Sequence, residues 1–141
     1  MKVYVGSKAR HWQFWGALRA AGVPIVASWI DAPFNHTGEE PSEDAWSLHW
    51  QKCVREAAEC DILLLYGGPD ERQLGSLIEA GAALAHNKRV FVVAPTAHFS
   101  FANHPRCRVF NTLADAIEAI MAAPTRRRQR EGGASTRSER R

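Results

Sequence analysis

The feature that most constrains the fold is a strand–helix–strand pattern over residues 61–94. Ile62–Tyr66 is a short apolar run that stops at a Gly-Gly-Pro turn, and Val90–Val93 is a second apolar run. Between them, apolar residues recur at helical spacing, namely Leu77, Ile78, Ala80 and Leu84. Two buried strands joined by a helical crossover indicate a parallel βαβ unit.

The loop after the first strand of this unit is the candidate site. Ligands of parallel α/β sheets bind outside the carboxyl ends of the strands. Here that end is the segment 67–76, and Glu79 follows in what the pattern predicts to be the first turn of the helix. A carboxylate at this place lies at the mouth of the crevice, so Glu79 is the main catalytic candidate.

The flanking segments extend the pattern to a whole domain. They predict further strands over 2–5, 25–29 and 107–110, and helices over 12–21, 45–60 and 112–120. The order predicts an α/β fold with a single doubly wound, mostly parallel five-stranded sheet, flavodoxin- or Rossmann-like, in the order 2-1-3-4-5 with helices on both faces. Gly6 and Ser7, after the first strand, would then face the loop before Glu79.

Length and cysteine content bound the class of protein. The 141 residues suffice for one domain with a core, predicted over 1–123. The sequence has no apolar run of roughly 18 residues and no leader-like start, which favours a cytoplasmic protein without membrane association. Three cysteines without metal-ligand spacing indicate reduced thiols, and we expect neither a metal nor a cofactor.

The charge is concentrated in the last residues. The net charge is +3, but the segment 124–141 holds seven Arg and two Glu, which leaves the rest of the chain acidic. With almost no apolar residue this tail cannot form a core and is predicted to be disordered. It is either a solvated segment that aids solubility or a weak arm for nucleic acid.

Two of the candidate features also have plain structural explanations. Ser76 and Glu79 fit the S-x-x-E capping box, in which the Glu side chain only caps a helix. Gly6 and Ser7 fit a tight turn with a helix cap as well as they fit a contact to a phosphate or a sugar hydroxyl.

The helix after the Gly-Gly-Pro turn carries a family signature. Its matching residues are Gly75, Glu79, Gly81, Ala83, Asn87 and Lys88, followed by an apolar strand. Together with Tyr4-Val5-Gly6-Ser7 at the first strand, this pattern resembles the nucleoside 2-deoxyribosyltransferase superfamily, which includes the deoxynucleoside 5′-monophosphate N-glycosidases. The resemblance covers about residues 1–122.

The resemblance implies a catalytic role for two residues. Glu79 would be the nucleophile that attacks C1′ of the sugar and displaces the base, as in retaining glycosidases. Tyr4 would orient that carboxylate by a hydrogen bond.

It also implies a set of substrate contacts. Gly6 and Ser7 would contact the 5′ end of the sugar or a 5′-phosphate, within the crevice that the loop with Gly75 and Ser76 borders. Trp29 and Asp31 would line the base pocket. Asn103 belongs to a loop, 95–106, that should overhang the crevice or else simply cap strand ends.

Two positions depart from the family pattern. Cys53 stands where the family has an Asp that holds the sugar or protonates the base. Gln73 stands where transferases have an Asp in contact with the base, and Asp70 is the nearest substitute. Proton transfer to the leaving base therefore has no assigned group.

Two functions follow from the sequence. One is cleavage or transfer of an N-glycosidic bond in a nucleoside or nucleoside 5′-monophosphate, with Glu79 as nucleophile. The alternative is a non-catalytic nucleotide-binding module of the same fold. By analogy with the fold, either form is expected to be a homodimer.

Overall fold

The computed structural model describes residues 1–32, 34–94 and 99–124, and the side chains of Phe34 and Asn35 are not among the described parts. The predicted Arg-rich tail therefore lies outside the described residues except for Pro124. His98, in the loop predicted to overhang the crevice, lies outside them as well.

The described part of the chain forms a parallel sheet of four strands. The strands are β1 (Val3–Gly6), β2 (Ile62–Tyr66), β3 (Arg89–Val93) and β4 (Cys107–Val109), and they lie side by side in that order. The register pairs Val3 with Ile62 and Ile62 with Arg89, so the first residues of the first three strands are aligned. The predicted βαβ unit over 61–94 is confirmed.

The fifth strand predicted over 25–29 is not formed, so the five-strand order 2-1-3-4-5 is not confirmed, and the four strands that form lie in chain order. Only one isolated parallel bridge, between Val3 and Ile25, joins this segment to the sheet. The ladder stops because its next partners are taken: the Val5 carbonyl accepts the Trp29 indole N–H at 2.8 Å, and the Ser28 N–H donates to Glu56 at 2.9 Å. The chain then turns into a 3₁₀ helix instead of a strand.

Five α-helices connect and cover the strands in the described residues. They are α1 (Trp12–Ala20), α2 (Phe34–Thr37), α3 (Glu43–Glu59), α4 (Leu74–Ala85) and α5 (Leu113–Ala122). Short 3₁₀ helices lie at Ala9–His11, Ser28–Asp31 and Ser100–Asn103. Helix α4 packs on β1, β2 and β3 and runs beside α3.

Helix capping supports these boundaries and corrects one prediction. Ser42 and Thr112 cap α3 and α5 by accepting a backbone N–H three residues on. Helix α4 has Gln73 as its N-cap and begins at Leu74, so Ser76 is already inside the helix. The capping-box explanation of Glu79 is therefore wrong, and Glu79 lies in the second turn of α4 rather than the first.

The core lies along the strands and includes two large aromatic residues. Tyr4 and Trp15 are fully buried, together with the apolar residues of β1 and β2. Among the described residues, no helix combines the length and the apolar character needed to cross a bilayer. The cytoplasmic location and the homodimer stay predictions from the sequence.

Candidate active site

A cavity of about 180 Å³ lies where β1 ends and α4 begins. One wall consists of the end of β1, the turn after it and the first turns of α4. The other wall consists of α3, and Trp29 closes one side. This is the end of the sheet at which the sequence predicts a ligand, and we name the two sides the β1–α4 wall and the α3 wall.

Glu79 is the only carboxylate on the lining of this cavity among the described residues. It is 7% exposed. Burial raises the pKa of its carboxyl group to about 8, against an opposing effect of the nearby Tyr4 hydroxyl, and the negative charge of Glu56 adds to the rise. A buried carboxyl group with a perturbed pKa in a cavity is typical of a functional site.

Tyr4 places its hydroxyl group behind Glu79. The side chain is fully buried on β1, and its hydroxyl forms no hydrogen bond of ordinary geometry with a described residue. Burial and the neighbouring Glu79 raise the pKa of the phenol, so it stays protonated at any working pH. It is therefore a donor held beside the carboxyl group, and ionisation of Glu79 would give it an acceptor.

Gly6 allows α4 to approach the end of β1. A Cβ atom at this position would lie 3.2 Å from Oε2 of Glu79 and 3.2 Å from Cβ of Ser76. Gly75 does the same between the walls, since a Cβ there would lie 3.0 Å from the ring of Trp50. Gly6 thus lets the carboxyl group of Glu79 lie against the end of β1, and Gly75 lets the two walls approach each other.

The α3 wall carries a thiol and an imidazole. Cys53 is buried, and its Sγ lies 3.5 Å from Nε2 of His49, one turn earlier. Burial raises the pKa of the Cys53 thiol to about 11, so it is neutral. Burial also lowers the pKa of His49, which leaves the imidazole neutral near pH 7.

Aromatic rings frame this imidazole. Trp46 and Trp50 meet His49 edge to face, with ring centroids 5.6 Å and 6.0 Å away, and both line the cavity. Their half-buried rings provide apolar surface beside the acid–base groups, which suits the face of a planar heterocycle.

The opening of the cavity is positively charged. Lys8 and Arg72 both line it, next to Ser7, whose Oγ accepts the indole N–H of Trp15 at 2.6 Å. The first turn of α4 adds backbone N–H groups on the same side. Cations and a helix N-terminus together form a surface that favours an anionic group.

A buried carboxylate fixes the loop that leads into α4. Glu71 accepts the Gly68 N–H at 2.7 Å and pairs with His11 at 3.0 Å and Arg10 at 2.6 Å. Burial alone would raise the pKa of Glu71, but these partners together hold it below its ordinary value. The loop is thus tied to the turn after β1, and Arg72 is held at the cavity.

The structure brings most of the predicted site residues together. Ser7, Trp29, Gly75, Ser76 and Glu79 line the cavity, with Tyr4 and Gly6 directly behind it.

Three predicted substrate contacts do not lie on this cavity. Asp31 forms an ion pair with Arg19 at 2.8 Å and borders a neighbouring cavity of about 490 Å³. Asp70 is exposed in a turn with φ of 62°. Asn103 is exposed, and its amide donates to the Ser100 carbonyl at 3.1 Å.

Three residues of the α3 wall, Trp46, His49 and Trp50, are not among the predicted site residues, and the fourth, Cys53, is noted in the sequence only as a departure from the family pattern. The spacing of His49 and Cys53, four residues apart, places both on one helical face and was the available signal.

No group of three or more His, Cys, Asp or Glu side chains that could hold a metal ion occurs among residues 1–32, 34–94 and 99–124.

Comparisons with known proteins support the fold. No family model matches the chain, and no curated protein matches it in sequence. A solved structure, the CMP N-glycosidase BcmB of Clostridium botulinum, is similar in fold, with a TM-score of 0.53 and 15% identity over 86% of this chain and 98% of that chain. The chain thus shares the fold of that N-glycosidase.

Proposed function

We propose that this protein cleaves the N-glycosidic bond of a nucleoside 5′-monophosphate, with Glu79 as the nucleophile. The observation that carries the proposal is the position of Glu79: a buried carboxyl group on the lining of a cavity at the carboxyl end of β1, beside the unpartnered hydroxyl of Tyr4. The fold shared with a CMP N-glycosidase agrees with this class of reaction.

The reaction forms and breaks one bond at the sugar in each of two steps. The Glu79 carboxylate attacks C1′, the bond from C1′ to the base nitrogen breaks, and an ester of Glu79 forms. Water then attacks C1′ and releases Glu79. The hydroxyl of Tyr4 donates to the carboxylate whenever the carboxylate is free, and so restores the nucleophile's orientation after each turnover.

The charge at the opening favours a nucleotide over a nucleoside. Lys8 and Arg72 line the cavity with the first turn of α4, and the one carboxyl group on the lining is neutral near pH 7 because its pKa is about 8. A 5′-phosphate of two negative charges fits this surface. We therefore expect 5′-monophosphates to be better substrates than the matching nucleosides.

The experiment is base release from a panel of nucleosides and 5′-monophosphates, ribo and deoxy, by the wild-type protein, Glu79→Gln and Glu79→Ala. Both variants should reduce release at least about 10³-fold while the fold is retained. Glu118→Gln, on the exposed side of α5, is the matched control and should match wild type. A glycosyl adduct on the peptide that contains Glu79, detected by mass spectrometry, would identify the intermediate.

A binding module is the second candidate, and Cys53 favours it. The residue lies on the cavity wall at the position where the resembled family has an Asp, and a neutral thiol does not replace a carboxylate. This candidate predicts that 5′-monophosphates raise the melting temperature but no panel member loses its base. Release by wild type that Glu79→Gln abolishes would eliminate it.

A further inference from the structure

We propose that His49 is the acid–base residue of this site: it protonates the leaving base and then takes a proton from the attacking water. The inference deepens the proposed N-glycosidase function and rests on it. It assigns the proton transfer for which the sequence offers no group, because Cys53 replaces the carboxylate expected at that position.

Geometry places His49 where such a group is needed. It lines the same cavity as Glu79 but on the opposite, α3 wall. A nucleotide whose sugar faces Glu79 extends its base away from that carboxylate, since the nucleophile and the leaving group lie on opposite sides of C1′. The α3 wall, with the rings of Trp46 and Trp50 beside His49, is the surface on that other side.

Cys53 helps to set the position of the imidazole. Its Sγ lies 3.5 Å from Nε2 of His49, and the two residues are one turn apart on a rigid helix of 17 residues. A neutral thiol is a weak hydrogen-bonding partner for the imidazole.

The proton balance closes over the two steps. In the first step the bond from C1′ to nitrogen breaks, the electron pair goes to the base, and protonated His49 delivers a proton to it. In the second step neutral His49 takes a proton from water as the water oxygen bonds to C1′, and the Glu79 carboxylate is released. His49 ends protonated and Glu79 ends ionised, which is the reactive form in which the first step begins, and water is the only other reactant.

The same pair explains how a protonated Glu79 becomes a nucleophile. Between the pKa of His49, which burial holds below 6.5, and the pKa of Glu79, about 8, the two side chains together carry a single proton, which resides mainly on Glu79. When this proton moves from Glu79 to His49, Glu79 becomes the carboxylate nucleophile and His49 becomes the protonated acid. Activity should therefore follow a bell-shaped pH profile, whose limbs belong to the pair.

Other charged and titratable groups also face His49. On α3 these are Glu56, which opposes the lowering of its pKa, and Lys52, which adds to it. From the other elements around the two adjoining cavities they are Lys8, Asp31, Arg72 and Glu79. Asp31 is paired with Arg19, and burial is the largest cause of the lowered pKa of His49, ahead of the opposing charges of Glu56 and Lys52.

The test uses two leaving groups and the full-length protein. The natural substrates are the 5′-monophosphates, and the activated one is 4-nitrophenyl riboside 5-phosphate, or its deoxy analogue, whose phenolate leaves without a proton. His49→Gln should lower kcat/KM for base release about 10²–10⁴-fold, but kcat/KM for nitrophenolate release, which reports the first step alone, by less than about tenfold. It should also remove the alkaline limb of the kcat/KM profile for the 5′-monophosphates, because that limb is the loss of the protonated acid. Glu79→Gln should abolish release of both leaving groups.

His86→Gln is the matched control, since His86 is exposed at the end of α4 and outside the cavity. His49→Asn is a second variant should His49→Gln not fold. An unchanged base-release rate in His49→Gln, or an equal loss of kcat/KM with both leaving groups, would overturn the assignment while the proposed function stands. Wild-type protein that releases neither the base nor nitrophenolate would overturn the proposed function itself.

Discussion

The two walls of the cavity consist of different types of residue. The β1–α4 wall is made of small residues at close contact, with Gly6 against Ser76 and the carboxyl group of Glu79. The α3 wall is made of large, half-buried rings around His49, and no carboxylate lies on it among the described residues. Close backbone approach fixes one reactive atom, whereas the rings provide an apolar surface for a planar ligand.

The two walls also differ in the free energy of placing their residues at the cavity. Glu79 is a carboxyl group in a buried place, so its ionised form is unfavourable in the folded protein. The rings of the α3 wall are only half-buried and carry no charge, so they have no comparable unfavourable form. The β1–α4 wall therefore holds Glu79 where its ionised, nucleophilic form is unfavourable. Substitutions in this wall should have larger effects than substitutions in the α3 wall.

The largest expected effect is a pH-dependent gain of stability in Glu79→Gln. The pKa of Glu79 is raised from 4.5 in the unfolded chain to about 8 in the folded protein, so folding takes up a proton in between. Wild-type stability should fall as the pH rises from about 4.5 through about 8, and the amide variant should lack this fall. The gain of the variant over wild type should reach on the order of 3–5 kcal/mol by pH 9.

Denaturant unfolding of wild type and Glu79→Gln at pH 5 to 9 measures this difference. Glu118→Gln is the control, because it makes the same change of side chain at an exposed position of α5. Parallel curves of stability against pH for wild type and Glu79→Gln would mean that Glu79 is ionised in the folded protein. Burial would then not make its ionised form unfavourable.

A smaller effect is expected from Gly6→Ala. The added Cβ would meet Oε2 of Glu79 and Cβ of Ser76 at 3.2 Å each, so the β1–α4 wall must open slightly. Overpacking of this kind costs about 1–3 kcal/mol of stability, and the displaced carboxylate should lower kcat by about 10–100-fold.

Gly81→Ala gives the matched control in the same helix. A Cβ at Gly81 would meet nothing within 4 Å, so this variant should gain up to about 1 kcal/mol of stability from helix propensity and keep its kcat. Full activity in Gly6→Ala would show that the position of Glu79 does not depend on close contact with β1.

The two walls also differ in how far the sequence predicts them. The βαβ unit and the position of Glu79 follow from two apolar runs and the helical spacing between them, which are local patterns. The strand predicted over 25–29 fails because Trp29 and Glu56 take the hydrogen bonds that an edge strand needs, and both interactions join residues far apart in the chain. No local pattern carries that information.

The sequence does not show that the α3 residues line a cavity, for a related reason. A helical stripe of Trp46, Trp50 and Cys53 has the same period whether it faces a core or a cavity. What distinguishes the two is the space left by Gly75 on the neighbouring helix, which depends on how α3 and α4 pack. His49 gains its place from that packing, so its role becomes visible only in three dimensions.

The smallest expected effect is that of Trp46→Ala, which tests whether the α3 wall contributes to substrate binding, measured by KM, or to the reaction, measured by kcat. Trp46→Ala removes a ring that lines the cavity and meets His49 edge to face at 5.6 Å. Loss of stacking on the base should cost about 0.5–1.5 kcal/mol, which raises KM about 2–12-fold and leaves kcat within about twofold. Leu48→Ala, on the exposed side of the same helix, should change neither constant. A fall in kcat with KM unchanged would instead assign Trp46 to holding His49, and the α3 wall would then share in the chemistry that we attribute to its imidazole alone.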